Sequence, residues 1–254
     1  MNKLCTVVFV VFAFAKAYPQ GPPITEDSPM LLGAGSYTIR VISESRKLDI
    51  GNATYIPLML HYLPTSNTEV SVNVPYLNYD LNGVSGSGLA DIRLTGKYQF
   101  YRKDGKAKTF RMDAKTVQTL PTGDKLDLMD LSMGIYSGYY GIVAGYESLK
   151  IGITSELGYN WMPDGTLDVL QLKAGVGWPL LEPQYPNKQL NLYFETANMW
   201  QTERNSYQFM YAQGIQYARK DITIDLSYQI PVFQDISEGP EFKRSIFIGG
   251  RFNF

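Results

Sequence analysis

Cysteine, histidine and long apolar runs are scarce in this chain of 254 residues, which holds one cysteine (Cys5) and one histidine (His61). Cys5 lies in an N-terminal stretch that we predict to be removed, so disulfides cannot hold the folded chain together. One histidine without cysteine makes no metal-binding cluster. The Gly-rich "GVSGSG" (83–88) lacks the following GK[ST] of a phosphate-binding loop. We therefore expect neither a metal nor a cofactor.

Neither sign of charge dominates, because 23 Lys and Arg face 24 Asp and Glu, for a net charge of −1. A chain without a basic surface is not expected to bind nucleic acid. After residue 17, no apolar run approaches the roughly 20 residues that a membrane-spanning helix needs. The 19 Tyr, 12 Phe and 23 Gly instead favour strands and tight turns.

The first 17 residues are typical of a secretory signal peptide. Lys3 precedes a short apolar run, and Ala15-Lys16-Ala17 fits a small-x-small cleavage site. An uncleaved anchor is the alternative, which the shortness of the run disfavours. Residues 18–30 are rich in proline and polar groups, so we expect a mobile leader there, although the sequence does not say where it lies.

Apolar and polar residues alternate along most of the remaining chain, as in "DITIDLSYQI" (221–230), and such alternation predicts strands with one apolar face. Most of the segments are about as long as the ~9–11 residues of a strand that crosses a bilayer. In residues 130–146 the apolar positions shift register, which predicts a bulge near Ser137-Gly138. The predicted strands are 31–43, 48–60, 68–79, 89–101, 107–119, 130–146, 149–161, 167–178, 189–201, 205–218, 221–230 and 243–254.

The strand-end aromatics indicate which face is outside. A soluble barrel keeps its apolar face inside, whereas an outer-membrane barrel turns it toward lipid. Trp161, Trp178 and Trp200 belong to the apolar face and stand at strand ends, as do Tyr217 and Phe254. Trp and Tyr prefer the membrane–water interface. The sequence therefore predicts an all-β protein: a single antiparallel transmembrane barrel of about twelve strands over 31–254.

The opposite face, which would then line the lumen, carries charges of both signs. Its charged residues are Arg40, Arg93, Lys97, Arg111, Asp113, Lys115, Glu156, Lys173, Glu195, Asp225 and Arg251. If hydrated and unpaired, they would select permeating solutes by charge. If paired across the narrow lumen, they would be mainly structural. We favour the paired arrangement because the chain is nearly neutral.

The last ten residues, "SIFIGGRFNF", place Ile246, Ile248, Phe252 and Phe254 on one face. A barrel in lipid leaves no edge unpaired, so we expect this strand to pair with the first. The ending also resembles the C-terminal signature of bacterial outer-membrane proteins. That resemblance implies recognition of Phe254 by the outer-membrane assembly machinery.

Three short stretches resemble the outer-membrane family linked to meta-pathway phenol degradation. They are "SGSGLADIRLTGKYQF" (85–100), "LPTGDKLDL" (120–128) and "SELGYNW" (155–161), although Ala90-Asp91 stands where the family often has Gly-Asp. The resemblance implies a transporter of hydrophobic or aromatic compounds. In the second stretch, Pro121-Thr122-Gly123-Asp124 is typical of a tight turn, and contact with a ligand or neighbouring loop is the alternative.

These observations favour passive transport of a small solute across the bacterial outer membrane, with membrane lipid around the barrel and both termini in the periplasm. A sealed structural or adhesive barrel is the alternative. An outer-membrane lipid hydrolase using His61 with Ser66 or Thr65 is the least favoured, since no third catalytic member is identifiable. We therefore do not expect an enzyme.

The signal peptide gives a direct test. Mass spectrometry of the membrane-purified protein is expected to find Tyr18 as the first residue and no Cys5, because cleavage follows Ala17. An intact N-terminus would instead support the anchor.

Overall fold

The computed structural model describes residues 23–123, 132–163, 168–181 and 188–254. The predicted signal peptide and residues 18–22 of the leader lie outside these ranges. The strands are β1 (Tyr37–Leu48), β2 (Gly51–Thr65), β3 (Thr68–Leu81), β4 (Val84–Leu89), β5 (Arg93–Gly105), β6 (Lys108–Thr119), β7 (Ser137–Ser148), β8 (Gly152–Trp161), β9 (Val169–Pro179), β10 (Lys188–Gln201), β11 (Ser206–Arg219), β12 (Ile222–Asp235) and β13 (Phe242–Asn253). None of the described residues forms a helix long and apolar enough to span a membrane.

The strands close into a barrel in which every neighbouring pair is antiparallel. β1 pairs with β2 on one side and with β13 on the other, from Thr38 opposite Asn253 onward. β4 and β5 both pair with β3, on its second and first half respectively, so they form one wall strand interrupted at residues 90–92. Twelve strands therefore surround the lumen in the described part of the chain, and the predicted all-β antiparallel barrel is confirmed.

The alternation along each strand separates an apolar outside from a polar inside. On β12, Ile222, Ile224 and Leu226 are exposed, whereas Thr223 and Asp225 between them are buried. Successive side chains of a strand point to opposite faces, so the pattern that predicted the strand also assigns its faces. An outward apolar band with an inward polar lining is the arrangement of barrels in lipid.

The start of β1 and the end of β13 lie at the same mouth of the barrel, which we call the terminal end; the other mouth is the opposite end. At the opposite end, Asn82 and Gly83 connect β3 to β4 with φ of 51° and 79°. Two central residues with positive φ match the twist of the flanking strands, and Asn-Gly is the pair that best tolerates it.

The predicted strand over 130–146 is wrong in its first half. β7 begins only at Ser137, and the described residues 132–136 belong to the loop that follows β6. Gly134 has a φ of 62°, which interrupts extended backbone. The register shift near Ser137-Gly138 therefore marks the start of the strand, not a bulge within it.

Closure between β1 and β13 can be tested with engineered cysteines in a Cys5→Ser background. Ile39 and Phe252 are direct partners on the outward face, so Ile39→Cys with Phe252→Cys is expected to form a disulfide on oxidation. The control pair Ile39→Cys with Ile248→Cys is displaced by four residues, roughly 13 Å along the strand, and should not. Electrophoretic mobility with and without reductant reads the result; oxidation of the control pair alone would contradict the register.

Candidate functional site

A segment before the first strand, residues 23–31, lies inside the barrel, and we call it the lumen segment. Ile24, Glu26, Ser28 and Leu31 are all buried there. The sequence left the position of the leader open, and the structure places its last residues against the inner wall. The path through the barrel is therefore shaped by this segment as well as by the strands.

Glu195 on β10 holds the backbone of the lumen segment. Its carboxylate accepts hydrogen bonds from the amide of Ile24 at 2.8 Å and from the Thr25 hydroxyl at 2.8 Å. On the other side of the segment, the Arg40 guanidinium donates to the Ile24 carbonyl at 2.8 Å and lies 3.3 Å from Asp225. Charged wall residues thus satisfy backbone groups that would otherwise be costly to bury.

Asp27 of the lumen segment joins two lysines of the wall. Its carboxylate lies 2.5 Å from Lys97 on β5 and 3.0 Å from Lys115 on β6. Lys97 also lies 3.5 Å from Glu69, and Lys115 lies 2.8 Å from Glu156. A buried ion pair roughly breaks even only when both charges are satisfied, and here each lysine has two carboxylates.

Two wall glycines make room for the segment. A Cβ atom on Gly145 would lie 2.7 Å from the Pro29 ring, and one on Gly214 would lie 2.5 Å from the Ile24 side chain. Both distances are shorter than real Cβ contacts allow, so the close approach of the segment depends on glycine at these positions.

The predicted lumen residues all occupy inward positions of their strands, but the structure brings only some of them together. Lys97, Lys115, Glu156, Glu195 and Asp225 take part in the contacts above, and Asp113 accepts a hydrogen bond from Gln99 at 3.1 Å. Arg93 lines the cavity described below. Within the described ranges, Arg111, Lys173 and Arg251 form no ion pair. The sequence analysis did not predict Glu26, Asp27 and Glu69 as lumen residues. For Glu26 and Asp27, the signal in the sequence is that they are acidic and precede a wall predicted to carry cationic residues.

The predicted interface aromatics point outward at the two rims. Trp161 and Trp200 lie at the opposite end, whereas Trp178, Tyr217 and Phe254 lie at the terminal end; all are exposed. They therefore stand at the two levels where a bilayer surface would meet the barrel wall.

Between the lumen segment and the opposite end lies a cavity of about 530 Å³, with Thr25 of the segment in its lining. Its lining contains an apolar cluster, formed by Leu48, Tyr55, Met199, Met210 and Phe242. Charged side chains lie against this cluster, since Arg46 is 5.6 Å from the Phe242 ring and Arg93 is 5.8 Å from the Tyr55 ring. Further polar lining residues are Lys115, Glu156, Asn160, Gln171 and Lys173. The cavity is thus amphipathic. The alternation predicted only a polar lumen and did not reveal the apolar part of this lining.

The structure does not join His61 to the nucleophiles considered for a hydrolase. Its Nδ1 lies 3.0 Å from Glu69, whereas the Thr65 hydroxyl donates to Asn67 at 2.7 Å, and neither Thr65 nor Ser66 is hydrogen-bonded to the imidazole. A nucleophile needs its base within hydrogen-bond reach. Among the residues described, no group of His, Cys, Asp and Glu is suited to hold a metal ion.

Several solved structures resemble this barrel. The COG4313 outer membrane channel from Pseudomonas putida F1 superposes with a TM-score of 0.64 at 11% identity, over 91% of this chain and 100% of that one. The NanC porin gives 0.56 at 11% identity, over 84% and 98%. The KdgM porin in complex with disordered oligogalacturonate gives 0.54 at 8%, over 85% and 99%. No protein-family model matches the sequence, and a search of curated proteins returns no match.

The chain has the fold of an outer-membrane β-barrel channel. At these identities the likeness concerns the fold. The link to phenol degradation stays a prediction.

Because Lys97 forms ion pairs within the described ranges and Arg111 forms none there, we expect their removal to change the stability of the barrel by different amounts. Lys97→Ala should lower the unfolding free energy by about 1.5–3 kcal/mol, because it removes charged contacts to Asp27 and Glu69 while Lys115 and His61 remain beside them. Arg111→Ala is the matched control, since among the described residues Arg111 forms a side-chain hydrogen bond to Thr109 alone, at 3.2 Å. Thermal unfolding in detergent, followed by electrophoretic mobility, measures both.

Ion selectivity separates this paired arrangement from a permeation role. Single-channel recordings of Lys97→Ala are expected to keep the wild-type anion-to-cation preference. A changed preference with unchanged thermal stability would show that Lys97 is a hydrated selectivity residue instead.

Proposed function

We propose that this protein is a passive channel of the bacterial outer membrane for small molecules that carry an apolar, in particular aromatic, part. The observation that carries the proposal is the amphipathic cavity at the opposite end of the lumen. The fold likeness to outer-membrane channels supports the general function, and the cavity lining supports the kind of solute.

The apolar cluster in the cavity lining is suited to contact with a solute. Tyr55, Met210 and Phe242 present buried apolar surface to the lumen instead of to lipid. Burying a Phe-sized apolar group is worth about 1.5–3 kcal/mol, which suffices to prefer an aromatic solute over a polar one of similar size. Methionine adapts to different shapes, so Met199 and Met210 favour a range of such solutes over a single one.

The polar residues of the lining would hold the rest of the solute. Lys173 forms no ion pair with a described residue, and Asn160 and Gln171 carry amides that donate and accept hydrogen bonds. A pocket with one apolar wall and a few polar groups is the usual arrangement for binding a small molecule.

Passage through the whole barrel involves the lumen segment, because Thr25 lines the cavity and residues 23–31 lie beyond it. The segment is held by hydrogen bonds and ion pairs to Glu195, Lys97 and Lys115, and its only covalent link to the wall among the described residues is the chain that continues into β1. A solute that leaves the cavity toward the terminal end would either pass beside the segment or displace it.

The same segment favours the second candidate, a sealed barrel with a structural or adhesive role. Its fit against Gly145 and Gly214, together with the paired charges, would keep the lumen closed if the segment never moves. The two candidates differ in whether any solute crosses the protein.

Uptake of phenylalanine and serine into liposomes that contain the purified barrel tests the proposal. Both are zwitterions at neutral pH, and a simple sieve would favour the smaller serine. We expect a higher rate for phenylalanine, and Met210→Gln should lower the phenylalanine-to-serine ratio by about tenfold.

Gln208→Asn, which changes a polar residue of the same cavity lining, is the control and should leave the ratio unchanged. Liposomes without protein give the background rate. Entry of neither solute through a correctly inserted barrel would contradict the proposal and favour the sealed barrel.

A further inference from the structure

The buried carboxylate of Asp91 lies in the break between β4 and β5, and its side chain is 1% exposed. One oxygen accepts a hydrogen bond from the backbone amide of Gly123 at 2.9 Å. The other accepts from the amides of Met133 at 2.8 Å and Gly134 at 2.9 Å. One carboxylate thus binds amides from both described ends of the loop between β6 and β7.

A second set of contacts brings the first end of this loop to the same break. The Ile92 amide donates to the Thr122 hydroxyl at 2.9 Å, and the Leu120 amide donates to the Ile92 carbonyl at 2.8 Å. A Cβ atom on Gly123 would lie 2.5 Å from the carbonyl carbon of Ala90, so only glycine fits there. The first of the stretches singled out in the sequence, 85–100, therefore meets the described residues 120–123 of the second in space.

The described residues form no strand ladder on the second edge of β4. Among the described strands, β4 pairs with β3 only, because β6 ends at Thr119 and pairs with β5. Residues 132–135 at the second end of the loop then face the lumen, and Ser132, Met133 and Ile135 line the cavity together with Asp91. The position of this part of the cavity wall depends on what holds the loop ends.

We propose that Asp91 is a positioning residue for solute passage: it fixes Met133 and Ile135 as the outer wall of the cavity and thereby sets which solutes enter. Hydrogen bonds to an ionised carboxylate are about twice as strong as neutral ones, and three of them converge here. The part of the proposal that concerns solute passage rests on the proposed channel function.

The position of the loop is measured first, independently of transport. Spin labels at Met133→Cys and Gln208→Cys, in a Cys5→Ser background, report a distance across the cavity. With Asp91 present we expect one narrow distribution. In Asp91→Asn an amide group replaces one acceptor oxygen, and the population of displaced distances should rise roughly tenfold or more.

Two further variants provide an independent test and a control for the distance measurement. Gly123→Ala forces a side chain against Ala90 without changing Asp91, so it should broaden the distribution in the same way even if Asp91→Asn does not fold. Asp80→Asn, the same change at an exposed carboxylate on β3 at this end of the barrel, should leave it unchanged. An unchanged distribution in both Asp91→Asn and Gly123→Ala overturns the proposal.

Liposome uptake then tests the consequence for transport. We expect Asp91→Asn to admit larger solutes than the wild type and to lower the phenylalanine-to-serine ratio. A broadened distribution with unchanged uptake would overturn the role in solute passage. A broadened distribution with no uptake in any variant, wild type included, would refute the channel function while leaving the loop-positioning role of Asp91 supported.

Discussion

The requirement that every backbone amide and carbonyl find a partner within lipid governs the rest of this structure. It forces the sheet to close, so β1 pairs with β13 along its length. Closure of twelve antiparallel strands puts the start of β1 and the end of β13 at the same mouth. The residues before β1 therefore begin at an opening of the lumen, and they turn into it.

Burial of charge explains why the lumen segment fits there. The wall alone supplies Lys97 with Glu69 and Lys115 with Glu156, and Asp27 of the segment adds a third carboxylate between the two lysines. If Asp27 left, each lysine would keep one wall carboxylate. Since the large penalty in buried ion pairs comes from a charge without any partner, the segment is held firmly without being indispensable to the wall.

The sequence predicted what local alternation encodes and missed what distant contacts decide. The faces of β12 follow directly from Ile222, Ile224 and Leu226, because a strand sorts neighbours by side. Met133 and Ile135 alternate as well, but a loop that faces the lumen produces the same pattern as a strand. The bond between Asp91 and Gly123 joins positions 32 residues apart, and no local period reports such a contact.

The lumen has two regions, one filled by the lumen segment and one formed by the cavity, and the side chain of Lys115 belongs to both. Around the lumen segment, polar and charged contacts with the wall fill the space, whereas the cavity beyond it offers apolar surface as well. Lys115 lines that cavity and also lies 3.0 Å from Asp27. In a site of low dielectric, a charged or polar group arriving near Lys115 acts on Asp27 more strongly than it would in water. Under the proposed function, a charged or polar solute in the cavity would therefore act on the lumen segment through this lysine.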